Sequence, residues 1–271
     1  MFTWTFGSRS SRGGGTPKGS SGEWAIPRGD AFREDKPGQG LLRKQGVVLR
    51  RKDSNEGDRS IYVLLRGEGP LWLIAPGAAR GKVRFGGATD PLVWGTFHIY
   101  RGPNRWYLRE VDVRKDFLPL RKYPSRIRRA AEWAASLVKY TLPGHASDDL
   151  LPIFYWSLCI LESGRLREDL AGWRFYWRWL RSWGLAPDLE RCQGCGTPLG
   201  EALFSEGSFF CARCSGGRQG LRLSGQDRGE LFAVSVLGHE KVLAMEGLPG
   251  IDPGKAESCA RMLVRTLSDR V

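Results

Sequence analysis

Along residues 41–119, short apolar runs rich in β-branched and aromatic residues alternate with polar turns. The runs cover 47–49, 61–65, 71–74, 92–100 and 106–113. The breaks between them are SNEGD, RGEG, a Gly- and Arg-rich loop, and RGPN. Such runs with such punctuation predict strands joined by hairpins and loops. Five strands in so short a segment suit a small closed barrel. The oligonucleotide-binding (OB) fold is the expected one, with an SH3-like barrel as the alternative.

After Pro119 the period changes. Ile127, Ala130, Ala131, Ala134, Leu137 and Val138 recur at helical spacing, which predicts a helix over 125–140 ended by Pro143-Gly144. Ser147-Asp148-Asp149 reads as the cap of a second helix running to about 163. A third covers 165–183, stopped by Gly184 with Pro187 just beyond. Trp173, Tyr176, Trp177 and Leu180 share one face of it and make it the central core helix. Arg174, Arg178 and Arg181 share the other face, where they either meet phosphate or are solvated. Two more helical segments follow, 226–246 and 254–269.

The predicted architecture is therefore α+β and multidomain. An extension, 1–40, precedes an OB-fold barrel, 41–119. A helical domain, 120–271, is interrupted by a cysteine module at 191–217. Residues 1–40 hold GGG, SSG and three prolines without a sustained period. Such a segment buries too little surface to offset its ordering entropy. It reads either as a flexible arm or as translation from an upstream start codon.

Charge sharpens this picture. The 271 residues carry 42 Lys and Arg against 29 Asp and Glu, a net charge of +13. Residues 41–119 hold 15 basic and 8 acidic groups, so +7 of that excess falls on the barrel. A localised positive surface points to an anionic partner, nucleic acid first. The longest apolar stretch, 150–161, contains Pro152 and is well short of the ~20 residues of a membrane span. No membrane partner is expected. The start, MFTWTFGSRSSRGGG, lacks a basic n-region followed by an apolar h-region, so a cytoplasmic protein is expected.

The sharpest chemical motif is Cys192-Gln-Gly-Cys195, then fifteen residues, then Cys211-Ala-Arg-Cys214. Two CxxC knuckles at this spacing can set four thiolates tetrahedrally around one Zn²⁺. With every position filled by cysteine, such a zinc is structural. A disulfide pair or a redox CxxC is the alternative; nothing suggests secretion, and the βα context of a redox motif is missing. Cys159 and Cys259 lie on apolar helix faces and read as core.

The second motif is the basic set of the barrel. Arg50, Arg51 and Lys52 leave the first strand together, and Arg59 follows the first turn. Arg80, Lys82 and Arg84 alternate through a glycine loop, and Arg101, Arg105 and Arg109 surround the last hairpin. Trp72, Phe85, Trp94, Phe97, Tyr100, Trp106 and Tyr107 are interleaved with them. Cations can follow phosphates while exposed rings stack on bases, although any single ring is as well explained by the barrel core. The expected DNA contacts are Arg50, Arg51, Lys52, Arg59, Arg80, Lys82, Arg84, Arg105, Arg174 and Arg178. Catalytic signatures are absent from the sequence: GxxxxGK[ST], GxSxG and HExxH are missing, and the acidic residues do not cluster as a two-metal nuclease needs,. No enzymatic activity is expected.

Several stretches, taken in order, carry a resemblance to one known family. GVVLRRKDSNEGDRSIYVLL resembles the family's first two strands and acidic turn. APGAARGKVRFGG resembles its basic loop. FYWRWLRSWGLAPDLERCQGCG, a helix ending in glycine followed by the first knuckle, is the most diagnostic piece, and FFCARCSGG is similar to the second knuckle. Residues 66–69, RGEG, depart from the family's polar element there, and Val83 stands where a serine is usual. The resemblance is to the RecO family of bacterial DNA repair proteins and runs from about Leu42 to Val271. It implies an N-terminal OB-fold, a C-terminal helical domain with a zinc insert, and binding to single- and double-stranded DNA. It further implies strand annealing and help in loading RecA onto strands coated by single-stranded DNA-binding protein, with RecR as a partner, near the nucleoid. A zinc-containing OB-fold factor for RNA or the ribosome is the alternative, and a metal-dependent nuclease a third class.

Overall fold

A computed structural model describes residues 40–54, 57–79, 85–245 and 250–269. All of these fall in one compact unit, Gln39–Val271. The 1–40 extension lies outside the described residues except for Gly40.

Five strands close a barrel: β1 (Gly40–Asp53), β2 (Arg59–Leu65), β3 (Gly69–Ala75), β4 (Trp94–Arg101) and β5 (Trp106–Lys115). Their order around the barrel is β1-β2-β3-β5-β4. Neighbours are antiparallel except β3 and β5, which meet in parallel at Ile74 and Tyr107. This five-stranded order is that of the OB fold and settles the choice against an SH3-like barrel. β1 begins seven residues earlier than its apolar run. GLLRKQG is not itself a β-rich run, and it is drawn into the sheet by pairing with β4, from Gly40 opposite Arg101 to Val47 opposite Trp94. At Gly46 and Val47, β1 pairs with β4 and β2 at once, and an added Cβ on Gly46 would sit 2.2 Å from the Leu64 carbonyl oxygen. Only glycine fits there.

The period-2 alternation of β2 explains its unbroken apolar run. Ile61, Val63 and Leu65 fill the barrel with Val48, Leu73, Phe97, Ile99 and Leu108. Tyr62 and Leu64 point outward and join a second core made with the helices. A strand covered on both faces reads as continuous apolar sequence.

The helices are α1 (Pro124–Tyr140), α2 (Leu150–Ser163), α3 (Glu168–Ser182), α4 (Gly225–Val236), α5 (His239–Leu243) and α6 (Pro253–Ser268). α3 is the axis of this core, with Trp173, Phe175, Tyr176, Trp177, Trp179 and Leu180 all buried. It ends as its sequence predicts. Gly184 adopts φ +73°, Leu185 N–H reaches the Leu180 carbonyl at 2.7 Å, and Gly184 N–H reaches that of Arg181 at 3.0 Å. This is the double bond of a glycine-terminated helix.

Two expectations fail in detail. No side chain of 147–149 caps α2; Asp148 Oδ1 instead accepts from Gly67 N–H in the β2–β3 turn at 2.7 Å. A carboxylate within reach of an unpaired amide of the barrel ties the two parts together instead. The single helix expected over 226–246 is broken at Leu237 and Gly238, both extended.

Candidate nucleic-acid interface and metal centre

The cysteine module folds around its knuckles. Gly196, at φ +70°, turns the chain after Cys195, and its N–H bonds the Cys192 carbonyl at 2.8 Å. Gly194 lies so close to the second knuckle that an added Cβ would stand 3.1 Å from Cys214 Cβ and Sγ. The sulfurs of Cys192, Cys195, Cys211 and Cys214 all lie within 4.8 Å of one another, and the four could hold a metal ion. Cys195 and Cys211 Sγ are 3.7 Å apart. A tetrahedron with metal–sulfur bonds of about 2.3 Å has edges of about 3.8 Å, so this donor set fits a Zn²⁺-sized ion. The Thr197 hydroxyl and amide hold the Cys195 thiol down at about 6. The sulfurs of Cys195, Cys211 and Cys192 push Cys214 up to about 12. Such a cluster shares protons that a dication replaces.

The module is not a free appendage. Its sheet is β6 (Ala202–Ser205), β7 (Ser208–Phe210) and β8 (Leu221–Leu223), in the order β7-β6-β8. Phe204 and Phe209 stack at 4.5 Å and meet Trp173 of α3 edge-on at 5.9 and 6.5 Å. Arg228 of α4 donates to the carbonyls of Leu189, Leu199 and Gly200 and clips the module's base. The sequence marks Arg228 only as one more basic residue, because its partners are backbone atoms nearly 30 or more positions away.

Cys259 is fully buried and Cys159 partly so, and burial raises their thiols to about 12 and about 11. They behave as core.

The basic residues separate into three groups. Alternation divides the Arg50-Arg51-Lys52 run. A bulge after Val48 sets Arg50 opposite Tyr62, and Lys52 lies opposite Ser60, both on the outer face. Both are exposed, and neither makes an ion pair among the described residues. Arg51 points the other way, to Asp90. Arg59 joins it at the barrel mouth. It is 9% exposed, bonded to Asp53 and to Thr89 at 2.8 Å. Asp90 also takes Arg121 at 3.1 Å. Arg59 is therefore a buried structural cation and not a phosphate ligand, and Arg51 is committed to a carboxylate.

The hydrogen bond from Arg59 holds the Asp53 carboxyl below its ordinary value of 3.8. A depressed carboxylate contributes stability that is present above 3.8 and lost as pH falls through its lower folded value. The stability difference between the protein and Asp53→Asn, read by urea unfolding, should be constant from neutrality to about pH 4 and narrow below it.

The second group lies outside the described residues: Arg80, Lys82 and Arg84. The chain entering their loop is held, with Gly77 N–H on Asp58 Oδ1 at 2.8 Å and Ala79 N–H on the Gly57 carbonyl at 3.0 Å. The chain leaving it packs Phe85 against the barrel interior.

The third group corrects the sequence reading. Arg174 is 2% exposed and donates to the carbonyls of Val234 and Ser235; Arg178 donates to those of Ser235 at 3.2 Å and Leu237 at 2.7 Å. Both cap the C-terminal end of α4, where orphan carbonyls and the negative end of the helix dipole favour a cation. Burial, with Arg178 adding, lowers Arg174 to about 9. Arg174 is thus buried in the helical core, and Arg178 is half-buried beside it. Arg181 lies over the Trp177 ring at 5.1 Å.

On the outer surface of the hairpin, Arg105 and Arg109 are exposed. Leu108 pairs with Ile99 and Glu110 with His98, so Arg109 is the extra residue of a bulge. It is turned over the Tyr100 ring at 5.4 Å. Arg101 lies over Trp106 at 5.0 Å. Trp94, Phe97 and Trp106 pack into cores, as their single-residue expectation allowed, whereas Trp72 is 45% exposed.

Two family descriptions match this chain. Recombination protein O N terminal covers residues 40–117, and Recombination protein O C terminal covers 130–227. Among curated relatives named DNA repair protein RecO, that of Desulforamulus reducens is 25% identical over 81% of this chain and 86% of its own length. That of Anaeromyxobacter sp. (strain K) is 34% identical over 64% of this chain and 70% of its own. That of Bacillus pumilus is 26% identical over 64% and 68%. Among the described residues no helix is long and apolar enough to cross a membrane.

Proposed function

Because this chain belongs to the recombination protein O (RecO) family of DNA repair proteins, we propose that it is a recombination mediator with no catalytic activity of its own. It binds single- and double-stranded DNA, anneals complementary strands, and assists RecA loading in the RecF pathway, working at the nucleoid. RecR and single-stranded DNA-binding protein are its protein partners. One Zn²⁺ on Cys192, Cys195, Cys211 and Cys214 braces the helical part.

The observation that carries this reading is the outer barrel surface. There Arg50, Lys52, Arg105 and Arg109 stand exposed, Arg109 over the half-exposed Tyr100 ring. Each cation that meets a phosphate releases condensed counterions, a gain that needs no nucleotide hydrolysis. Two strands gathered on one positive surface have their mutual repulsion screened, and base pairing then proceeds by itself. Zn²⁺, when bound, supplies cross-linking of the knuckles and no reaction chemistry, since four cysteines leave it no open position.

The test is annealing of complementary oligonucleotides without ATP. The account expects strong acceleration by the protein, reduced when Arg80, Lys82 and Arg84 are replaced together by Ala and, separately, when Arg50 and Lys52 are. Absence of acceleration, with binding confined to structured RNA, would favour a zinc-containing RNA-binding factor. Metal-dependent cleavage of the strands would make it a nuclease.

A further inference from the structure

At the mouth of the barrel one carboxylate serves three guanidinium groups. Arg51, near the end of β1, and Arg121, in the turn Leu118–Lys122 between β5 and α1, both bond Asp90, Arg121 at 3.1 Å. Arg59, the first residue of β2, reaches the same carboxylate at 3.8 Å. Arg59 already has partners in Asp53 and Thr89, so Arg51 and Arg121 are left to share a single negative charge. With Asp53 counted, three cations meet two anions. The surplus stands at the surface: the Asp90 side chain is 21% exposed, between Arg51 at 42% and Arg121 at 53%.

The backbone that presents this carboxylate is pinned on one side and open on the other. Two residues on, Leu92 adopts φ +71°, a conformation that a bulky residue keeps only where its surroundings impose it. They do so here. Leu92 N–H bonds the Val48 carbonyl at 2.8 Å, and Val48 N–H bonds that of Val93 at 2.9 Å. On the other side, Gly86 and Gly87 are exposed, and an added Cβ on either would meet nothing within 4 Å. Asp90 is therefore carried out of the glycine loop and set down on arginines of other elements. A carboxylate and a phosphodiester ask the same of such a pair: one negative charge, and oxygens that accept from planar guanidinium forks.

We propose that Arg51 and Arg121, backed by the buried Arg59, form a seat for one DNA phosphate, and that Asp90 fills this seat in cis and so holds down the protein's affinity for DNA. The inference rests on the DNA-binding reading above and adds a control on it. A carboxylate on the same chain competes with an incoming phosphate at a high effective concentration. The seat is therefore filled when no strand is bound, and a strand gains it only by displacing Asp90 from both arginines. A mediator must also let its product go, and a tethered competitor shortens the time that a strand stays.

The test is a double-mutant cycle read by binding of a thymidine oligonucleotide. Asp90→Asn should raise affinity on the order of fivefold at low salt and steepen the salt slope by about 0.7, the share of one added phosphate. Asp90→Glu, which keeps the carboxylate, should show no such gain. Arg121→Ala should cost at least about threefold more in the Asp90→Asn background than in the native one, because only there is the arginine unmasked. Equal costs in the two backgrounds would mean that Asp90 acts through its charge alone, and no gain from Asp90→Asn would mean that the seat does not meet DNA; either result overturns the proposal. Melting curves establish that each variant is folded. The native protein gives a second reading that needs no substitution: labelling of arginines by phenylglyoxal, mapped by mass spectrometry, should fall at Arg51 and Arg121 on saturation with the oligonucleotide. Labelling of both that ignores the bound strand overturns the seat. A native protein that binds no oligonucleotide overturns the DNA-binding reading itself, and the seat with it.

Discussion

Replacing Cys192 or Cys211 by Ser should release the metal and lower the melting temperature of the whole described body by roughly 10 °C. Structural zinc in small modules contributes on the order of 10 kcal/mol to their folding, so a module that has lost a ligand opens. Opening uncovers Phe204 and Phe209, which lie against Trp173. Burying a side chain of that size is worth about 1.5–3 kcal/mol. The loss of both is therefore about 3–6 kcal/mol, and a body of this size shifts by about 2–4 °C per kcal/mol. The effect spreads because Trp173 belongs to the same core as Tyr62, Leu64 and Trp94 of the barrel. Metal analysis and calorimetry on the same samples check this. Native melting in a preparation with no metal and six free thiols would contradict it.

Arg174→Ala should cost about 3 kcal/mol of stability and leave the salt dependence of DNA binding unchanged. Two buried carbonyls at the end of α4 lose a charged donor, and each such bond is worth about 1.5–3 kcal/mol. The cavity left by the side chain adds to the loss. Urea unfolding reads the first effect and a salt titration the second. A flattened salt slope with native stability would return Arg174 to the DNA surface. Arg178→Ala, half-buried on the carbonyls of Ser235 and Leu237, should show the same pattern more weakly.

These two residues mark where the sequence stopped being legible. The strands of the barrel, the knuckles and the glycine end of α3 are local signals, each contained within a few residues, and the structure follows them. Helical spacing also separated an aromatic face of α3 from an arginine face. What it could not say is what covers the second face. The answer lies some 60 residues away, in the carbonyls of Val234 and Ser235. The same limit applies to Arg50, Arg51 and Lys52, one basic run in the sequence. Alternation along β1 sends Arg51 to Asp90 and leaves the other two outside, but only the register with β2 says which is which. Asp148 offers the same lesson, since a capping residue by pattern became a tether to the β2–β3 turn.

The measurement that bears most directly on the central claim is a salt titration of single-strand binding by the protein and by a variant with Arg50, Lys52 and Arg109 replaced by Ala. All three are exposed on the outer barrel face. For single strands each neutralised phosphate contributes about 0.7 to the slope of log affinity against log salt. The variant should bind more weakly at low salt, with a slope smaller by about 2, and should melt at the native temperature. An unchanged slope and affinity would mean that DNA does not lie on this face of the barrel.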